Sequence, residues 1–316
     1  MKAPLKIGIY AAVLAAIFGV SYVAAGALIP DAVAADWSAR ASESATEHGE
    51  EHGDDTVDEV GAPPVPGLSS EQHGYQLREL VAPAGMGEPG VLSFRLTGPD
   101  GSGVTDYEVA HEKELHLIVV RTDGAQFRHV HPTDDGDGRW SIPWQWETGG
   151  SYRVFADFVP TRLDAGITLT TAVTVSGEVS PRPAVSDSID EVGDFTVRLT
   201  GTLVSGEQSA LTFDVARDGR PVTTLEPYLG AFGHLVALRE GDLAYLHVHP
   251  VGEPGDGVTA AGPQVRFFAQ TPTEGSYLLY LDFQVDGQVH TAEFEVSAST
   301  PVDPGPPDDG HPDSGH

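Results

Sequence analysis

The sequence predicts an all-β fold class: two tandem antiparallel β-sandwich domains that follow one N-terminal transmembrane helix. The same order of short alternating strands occurs twice along the 316 residues. Turns that carry glycine separate these strands, and sustained helical periodicity is absent outside an N-terminal apolar run. Short strands at this spacing are typical of antiparallel sandwiches. The chain length leaves room for two ordinary domains.

The N-terminal segment, residues 1–35, has the pattern of a membrane anchor or a signal peptide. Lys2 and Lys6 precede an uncharged, mostly apolar run from Ile7 to Ile29, which is long enough to cross a bilayer as one helix. Because this run exceeds the usual apolar region of a signal peptide, we favour a single-pass cell-membrane protein with an extracytoplasmic C-terminal region. Cleavage at Ala32-Val33-Ala34 would instead give a secreted protein.

Composition divides the rest of the chain into two structured parts and three polar connections. Residues 36–72 are acidic and poor in large apolar side chains, which predicts a disordered linker. β-sandwich domain 1 is expected at 73–177, a second linker at 178–189, and β-sandwich domain 2 at 190–297. Residues 298–316 have the same polar composition and are predicted to form a disordered acidic tail.

Charge and cysteine content exclude several classes of partner and site. The chain has 47 Asp and Glu against 17 Lys and Arg, a formal net charge of −30. Such a surface repels nucleic acid and attracts cations, so no nucleic-acid partner is expected. There are no cysteines, which excludes disulfides, thiolate metal ligands and a blue-copper centre.

Each copy of the strand pattern contains a Gly-x-Tyr entry into its penultimate strand. These entries are Gly150-Ser151-Tyr152 and Gly275-Ser276-Tyr277. The pattern resembles the tyrosine corner of immunoglobulin-like folds, in which the tyrosine hydroxyl bonds to the backbone a few residues upstream. We therefore expect two immunoglobulin-like sandwiches in which Tyr152 and Tyr277 are structural.

The most informative feature of the chain is a repeated pattern of three histidines. Residues 116–132 and 234–250 align without a gap; each begins with His-Leu, has Arg at its sixth position and ends with His-Val-His-Pro. Imidazole is the commonest metal-binding side chain, and three on one small surface make a nearly complete ligand set. The candidate metal ligands are His116, His129 and His131 in the first copy and His234, His247 and His249 in the second.

Turn chemistry predicts how these histidines face each other. Asp123-Gly124 suits a type I′ hairpin loop, and Gly241-Asp242 suits a type II′ loop. With these loops, His116 lies opposite His131 and Ile118 opposite His129, while His234 lies opposite His249 and Val236 opposite His247. Directly opposed residues share a face, and strands alternate faces, so each copy gathers its three histidines on one side.

Three imidazoles without sulfur suit Cu(II) or Zn(II) and leave a fourth position open. Met86 is the only methionine besides the initiator, so the methionine-rich signature of a Cu(I) carrier is absent. A different interpretation remains: a hydrogen-bonded histidine cluster that only closes the edge of a core, since the same face carries residues such as Ile118 and Val236.

Other matched residues carry weaker expectations. Asp157 and Asp282 match between the copies, as do Arg121 and Arg239; each Asp is either a fourth ligand or, as we favour, the ion-pair partner of its Arg. The other histidines of the sandwiches are expected to be incidental: His73, His111 and His290. The glycine-punctuated segment 226–233 leads directly into His234, which favours the second copy if only one site is functional.

The run from Tyr228 to His234, together with the later Tyr245-Leu246-His247-Val248-His249-Pro250, resembles a motif of YtkA-like and uncharacterised actinobacterial-type exported proteins linked to copper and heavy-metal handling. The resemblance covers most of 190–297 and, more loosely, 85–177, and it implies association with a metal. His-x-His also occurs in cupins, but Pro250 interrupts the strand, which leaves a cupin enzyme as a weaker rival.

These observations favour a membrane-anchored, extracytoplasmic protein that binds copper or zinc through two three-histidine sites, for buffering, delivery or sensing. The alternative is a cell-surface interaction or scaffold module whose histidines are structural. An enzyme is not expected, because the sequence supplies no nucleophile–base constellation. The expected partners are the metal ion and, through the N-terminal helix, the membrane; an exported protein partner is left open.

Overall fold

The computed structural model describes residues 66–163, 165–246 and 248–301. These residues form strands and turns and no helix, which confirms the all-β fold class. None of the described residues belongs to a helix of the length and hydropathy needed to span a bilayer. The predicted N-terminal helix, nearly all of the first linker and most of the acidic tail lie outside the described residues.

The first half of the described chain forms two antiparallel sheets. One has the order β1-β2-β3-β8-β7 and the other β10-β9-β5-β6, with β4 pairing to β9. The strands are β1 Glu71–Gln72, β2 Tyr75–Val81, β3 Gly90–Thr97, β4 Tyr107–Glu108, β5 Leu115–Arg121, β6 Arg128–Val130, β7 Thr133–Gly136, β8 Arg139–Trp144, β9 Gly150–Pro160 and β10 Ile167–Val175.

The second half repeats this arrangement. Its sheets have the orders β11-β12-β14-β19-β18, with β15 pairing to β14, and β13-β21-β20-β16-β17. The strands are β11 Ile189–Val192, β12 Phe195–Thr200, β13 Leu203–Val204, β14 Gln208–Arg217, β15 Arg220–Pro221, β16 His234–Arg239, β17 Tyr245–Leu246, β18 Val248–Pro250, β19 Gln264–Gln270, β20 Gly275–Val285 and β21 Gln288–Ser299.

In each half the two sheets pack face to face around one apolar core. In the first, Phe94 of β3 and Leu117 of β5 belong to one fully buried cluster. In the second, Phe213 of β14 and Leu281 of β20 do the same. Alternate residues of β14 and β19 are buried, as a strand with one face on the core requires. We refer to the two halves as the first and second sandwich.

Both tyrosine corners form as predicted. The Tyr152 hydroxyl donates to the backbone oxygen of Thr148 at 2.9 Å, and the Tyr277 hydroxyl donates to that of Thr273 at 2.8 Å. Both rings are almost fully buried. Each bond fixes the loop that precedes β9 or β20 to the start of that strand, so both tyrosines are structural.

A second apolar cluster lies between the sandwiches, and we call it the inter-sandwich core. Its buried members are Ile118, Val120, Phe155, Val236, Leu238, Leu243, Tyr245, Leu278 and Tyr280, with Phe127 packed against them. All seven residues of β5 are buried, because one face of the strand covers its own sandwich core and the other faces the second sandwich. The outer faces of β5 and β16 therefore bring the two histidine hairpins together.

Tyr280 makes the most specific contact in the inter-sandwich core. Its ring stacks on Phe127 with a centroid separation of 4.0 Å and an interplanar angle of 4°. Its hydroxyl donates to the backbone oxygen of Gly124 at 2.6 Å. The backbone of the first hairpin turn is thus bonded to a strand of the second sandwich.

Replacing Tyr280 separates the packing contribution from the hydrogen bond. Tyr280→Ala leaves a cavity and should lower the free energy of unfolding by about 3–5 kcal/mol, whereas Tyr280→Phe removes only the hydroxyl and should cost about 1 kcal/mol. Urea unfolding followed by tryptophan fluorescence measures both. A Tyr280→Ala protein as stable as Tyr280→Phe would show that the inter-sandwich core contributes little.

Candidate metal centre

The first histidine hairpin has the register that the sequence predicts. Leu117 pairs with Val130 and Ile118 with His129, so His116 and His131 come next in line at the open end. The turn is not type I′, however: the Gly124 N–H donates to the Arg121 carbonyl at 2.8 Å, and the positive φ values between the two strands belong to Gly124 (85°) and Gln126 (59°). The turn is one residue longer than predicted and keeps the same pairing.

The second hairpin follows its predicted register only near the turn. Ala237 pairs with Leu246, as expected. The chain then crosses to the opposite sheet, where His249 pairs with Phe268 and Val248 packs against the second core. The expected pairing of His234 with His249 is therefore wrong, because burial of Val248 draws the strand away. His247 lies outside the described residues.

The three histidines of the first hairpin converge, and we call them the His triad. His116 Nδ1 lies 3.0 Å from His129 Nε2 and 3.2 Å from His131 Nε2. One nitrogen of each ring lies within 4.8 Å of the other two. His116 is buried, and His129 and His131 are partly buried. The structure thus places His116, His129 and His131 together in the way a three-coordinate ligand set requires.

The outer nitrogen of two triad rings is held by a hydrogen-bond acceptor. His116 Nε2 lies 3.0 Å from the backbone oxygen of Ala110, and His129 Nδ1 lies 2.8 Å from Asp282 Oδ2. Since a carbonyl and a carboxylate only accept, these outer nitrogens carry protons. In neutral rings, the inner nitrogens then carry lone pairs that point at each other across 3.0 Å. A shared cation or an added proton must occupy that gap.

Two further histidines extend the His triad across the seam between the sandwiches. The ring of His234 lies parallel to that of His116, with a centroid separation of 5.5 Å and an interplanar angle of 5°, and its centroid is 4.8 Å from that of His129. The ring of His111 lies 5.5 Å from that of His234. His234 therefore packs against the His triad of the first sandwich. Because His247 lies outside the described residues, a second metal set on His234, His247 and His249 stays a prediction.

The expectation that His111 is incidental was also wrong. Ala110 and Lys113 exchange backbone hydrogen bonds across a tight turn, and both central residues, His111 and Glu112, have positive φ values of 48° and 64°. This conformation is unfavourable for residues other than glycine, asparagine and aspartate. The turn aims the His111 ring and the Ala110 carbonyl at the cluster. The two positive φ values belong to residues without a turn signature, so sequence patterns offered no signal for it.

Burial favours the neutral form of four of the clustered imidazoles. It lowers the pKa of His116 to about 4 and that of His131 to about 3, and the neighbouring His129 acts in the same direction on both. Burial likewise lowers the pKa of His234 well below its ordinary value and lowers that of His111. A neutral imidazole is the form that binds a metal.

The matched aspartates do not pair with the matched arginines as we expected. Arg121 binds Asp123 through two hydrogen bonds, and Arg239 binds Asp242 of its own turn. Each arginine thus closes its hairpin turn, where the partner carboxylate is near in sequence. Asp282 instead accepts from His129 at 2.8 Å and from the Thr291 hydroxyl at 2.6 Å.

Asp157 occupies the matching position in the first sandwich. It accepts from the Thr168 hydroxyl at 2.8 Å, and burial raises its pKa to about 6. Near the second hairpin, a side chain on Gly233 would lie 3.2 Å from the Asp282 carbonyl, so the glycine-punctuated segment does approach this region closely. His290 packs instead between Phe195 and Phe283, at one side of the second core.

A family of domains of unknown function, DUF8832, matches the chain at residues 70–177 and again at 190–300. The chain belongs to the DUF8832 family. Its two copies of the DUF8832 domain correspond to the two sandwiches, each of which contains one histidine hairpin. No curated protein matches the sequence.

Solved structures resemble the chain only distantly. Invasin, a bacterial integrin-binding protein, is 11% identical with a TM-score of 0.22, and the match covers 71% of this chain and 39% of invasin. The Yersinia pseudotuberculosis adhesin InvE is 10% identical (TM-score 0.21; 71% and 58% covered). Fibronectin(III)-like modules of Clostridium thermocellum CbhA are 11% identical (TM-score 0.20; 71% and 95% covered). This chain spans less than two thirds of invasin and InvE, and such TM-scores carry no functional information.

Acidification should destabilise the metal-free protein. The unfolded chain protonates His116 near pH 6.5, whereas the folded protein does so only near pH 4. The stability that His116 contributes is therefore complete above about pH 6.5 and is lost as the pH falls towards 4, by about 3 kcal/mol in total. His131 and His234 shift in the same direction, and Asp157, with its raised pKa, offsets part of the loss.

Urea midpoints at about pH 7.5 and about pH 5, with a chelator present, test this dependence. His116→Gln cannot titrate, so the difference between its two midpoints should be smaller than that of the wild type by the equivalent of about 2 kcal/mol. The same pH dependence in both proteins would contradict the prediction.

Proposed function

We propose that this DUF8832 protein binds a divalent transition-metal ion, Cu(II) or Zn(II), through His116, His129 and His131. One observation carries the proposal: nitrogens of His129 and His131 lie within hydrogen-bond distance of His116 Nδ1, while the outer nitrogens of two rings are held by acceptors. This is the arrangement in which metal-bound histidines occur, because the outer hydrogen bond fixes the tautomer that leaves the inner lone pair free.

The separations support a tetrahedral ion. Zinc–nitrogen bonds measure about 2.0–2.1 Å, so nitrogens at tetrahedral angles around one ion lie about 3.3 Å apart. The distances from His116 Nδ1 to His129 Nε2 and to His131 Nε2 are 3.0 and 3.2 Å. Small ring movements therefore suffice to seat the ion, and the entropic cost of gathering the ligands has been met by folding.

The ligand chemistry restricts the metal. All three donors are imidazoles, which suit Zn(II) and Cu(II) and not the softer Cu(I). Met86, the one thioether among the described residues, accepts a hydrogen bond from the Glu178 N–H and belongs to the loop beside Gly177. Three ligands leave a fourth position for water or for a ligand from a partner, which suits buffering, delivery or sensing.

The setting of the proposed site follows from the sequence and the tyrosine corners. We infer tandem immunoglobulin-like sandwiches, exported and held at the cell membrane by the N-terminal segment, with the metal site outside the cytoplasm. The strongly acidic chain would attract cations to this surface. The proposal concerns the first hairpin; a second set on His234, His247 and His249 stays a prediction, since His247 lies outside the described residues.

A scaffold function is the second candidate, and one contact favours it. His129 and Asp282 join the two sandwiches through a buried pair, with side chains 0% and 2% exposed. Such a pair could serve only to fix the sandwiches together, with an extra proton on His129 filling the gap to His116. The two functions differ in how they respond to added metal.

Metal titration tests the proposed function. Isothermal titration of chelator-treated protein with Zn(II) and Cu(II) should show one saturable high-affinity event per chain. The triple variant His116→Ala/His129→Ala/His131→Ala should lose it. His73→Asn is the matched control, because this histidine is exposed, lies outside the cluster and has a φ of 52° that asparagine tolerates. Equal binding by the triple variant and the control would refute the His triad as the site.

Thermal unfolding with and without Zn(II) separates the metal site from the scaffold. A ligand at 100 times its Kd stabilises the folded state by about 2.7 kcal/mol, so the wild type should unfold at a higher temperature with Zn(II) present. Under the scaffold function, His131→Ala would lower the unfolding temperature by the same amount in the presence and absence of Zn(II). Under the metal function, the loss is larger when Zn(II) is present.

A further inference from the structure

Asp282 has a position that metal binding by three histidines does not by itself explain. It belongs to β20 of the second sandwich, and its carboxylate lies 2.8 Å from Nδ1 of His129 in the first. We infer that Asp282 is a positioning residue for His129, and that the two sandwiches share one metal centre. This inference rests on the proposed function. It adds that the second sandwich controls the orientation of one metal ligand.

The carboxylate is fixed in place before any metal binds. Its Oδ1 accepts from the Thr291 hydroxyl at 2.6 Å, and its Oδ2 accepts from His129. Asp282 is 2% exposed, and Thr291 is its cross-strand neighbour on β21. A carboxylate held at both oxygens has little freedom to rotate, so it fixes the plane and the tautomer of the His129 ring.

This hydrogen bond has a direct chemical effect on the ligand atom. When Nδ1–H of His129 donates a hydrogen bond to a carboxylate, Nε2 carries the lone pair and becomes more basic. Nε2 is the atom that faces His116 Nδ1 at 3.0 Å. Asp282 thereby both selects the ligating nitrogen and strengthens it, although it does not touch the ion itself.

The second sandwich also surrounds the centre. The His234 ring stacks against His116, and the inter-sandwich core lies directly beside the triad, since Ile118 pairs with His129. Without the second sandwich, His129 would lose its carboxylate and His116 would lose an aromatic neighbour. The chain therefore needs both sandwiches docked to present one complete centre, which predicts one ion per chain and not one per hairpin.

Asp282→Asn is the decisive variant, and Asp157→Asn is its matched control. Both aspartates pair across strands with a threonine, Thr291 and Thr168 respectively, and each accepts from that hydroxyl. Only Asp282 bonds to His129. Zn(II) affinity, measured by competition with a chelator, should fall by roughly 10–100-fold in Asp282→Asn and change by less than about threefold in Asp157→Asn.

A spectroscopic readout distinguishes positioning from a structural role. Long-range ¹H–¹⁵N spectra of the zinc-loaded wild type should show His129 as the Nδ1–H tautomer with Nε2 bound to the ion. In Asp282→Asn, the Nδ1 resonance should move, because the charged acceptor is gone. Asp157→Asn should move it much less, because Asp157 interacts with His129 electrostatically but does not accept its hydrogen bond. The urea midpoint of each metal-free variant confirms that it is folded before its affinity is compared.

The outcomes separate this inference from the proposed function. If the wild type binds no Zn(II), the proposed function fails. If the wild type binds, and Asp282→Asn matches its affinity and its His129 spectrum, the metal site stands and the positioning role of Asp282 is refuted. Two equivalent ions per chain would refute the shared centre. A selective loss in Asp282→Asn at one ion per chain would support the inference.

Discussion

The arrangement of this protein depends on one constraint: β5 has no face left for solvent. Its inward residues complete the core of the first sandwich, and its outward residues, Ile118 and Val120, are sealed by Leu238 and Tyr280 of the second. Exposing such a surface would be unfavourable by about 25 cal/mol for each Å² of apolar area. Docking of the sandwiches thus follows from the hydrophobic effect, and docking brings His234 and Asp282 to the His triad, whose own convergence follows from the hairpin register.

The same seam explains the electrostatics of the cluster. Side chains at the border of an apolar interface lose hydration, and loss of hydration disfavours the charged form of an imidazole. Burial is accordingly the main cause of the low pKa values of His116, His131 and His234. Neutral rings gathered in one place leave lone pairs with few donors to satisfy them. A cation resolves that conflict directly, whereas a proton must overcome both burial and the neighbouring rings.

Local sequence patterns were sufficient for some features and not for others. The all-β class, the tyrosine corners and the register of the first hairpin depend on residues close in the chain, where strand alternation and turn residues decide the geometry. The hydrogen bond between His129 and Asp282 connects residues far apart in sequence. The alternation of buried and exposed residues along a strand does not show which face of one sandwich packs against the other. His111 lacks a counterpart in the other copy, so the repeat that revealed the other histidines could not reveal it.

The two copies of the domain place their matched histidines differently. In the first, His129 and His131 stay beside His116; in the second, His249 moves to the opposite sheet and pairs with Phe268. Yet the second copy also contributes to this cluster, because its Asp282 accepts a hydrogen bond from His129 of the first. The two sandwiches dock through matching faces. A residue on either face therefore contacts both its own sandwich and the other one. A substitution at Asp282 in the second copy therefore changes the surroundings of His129 in the first.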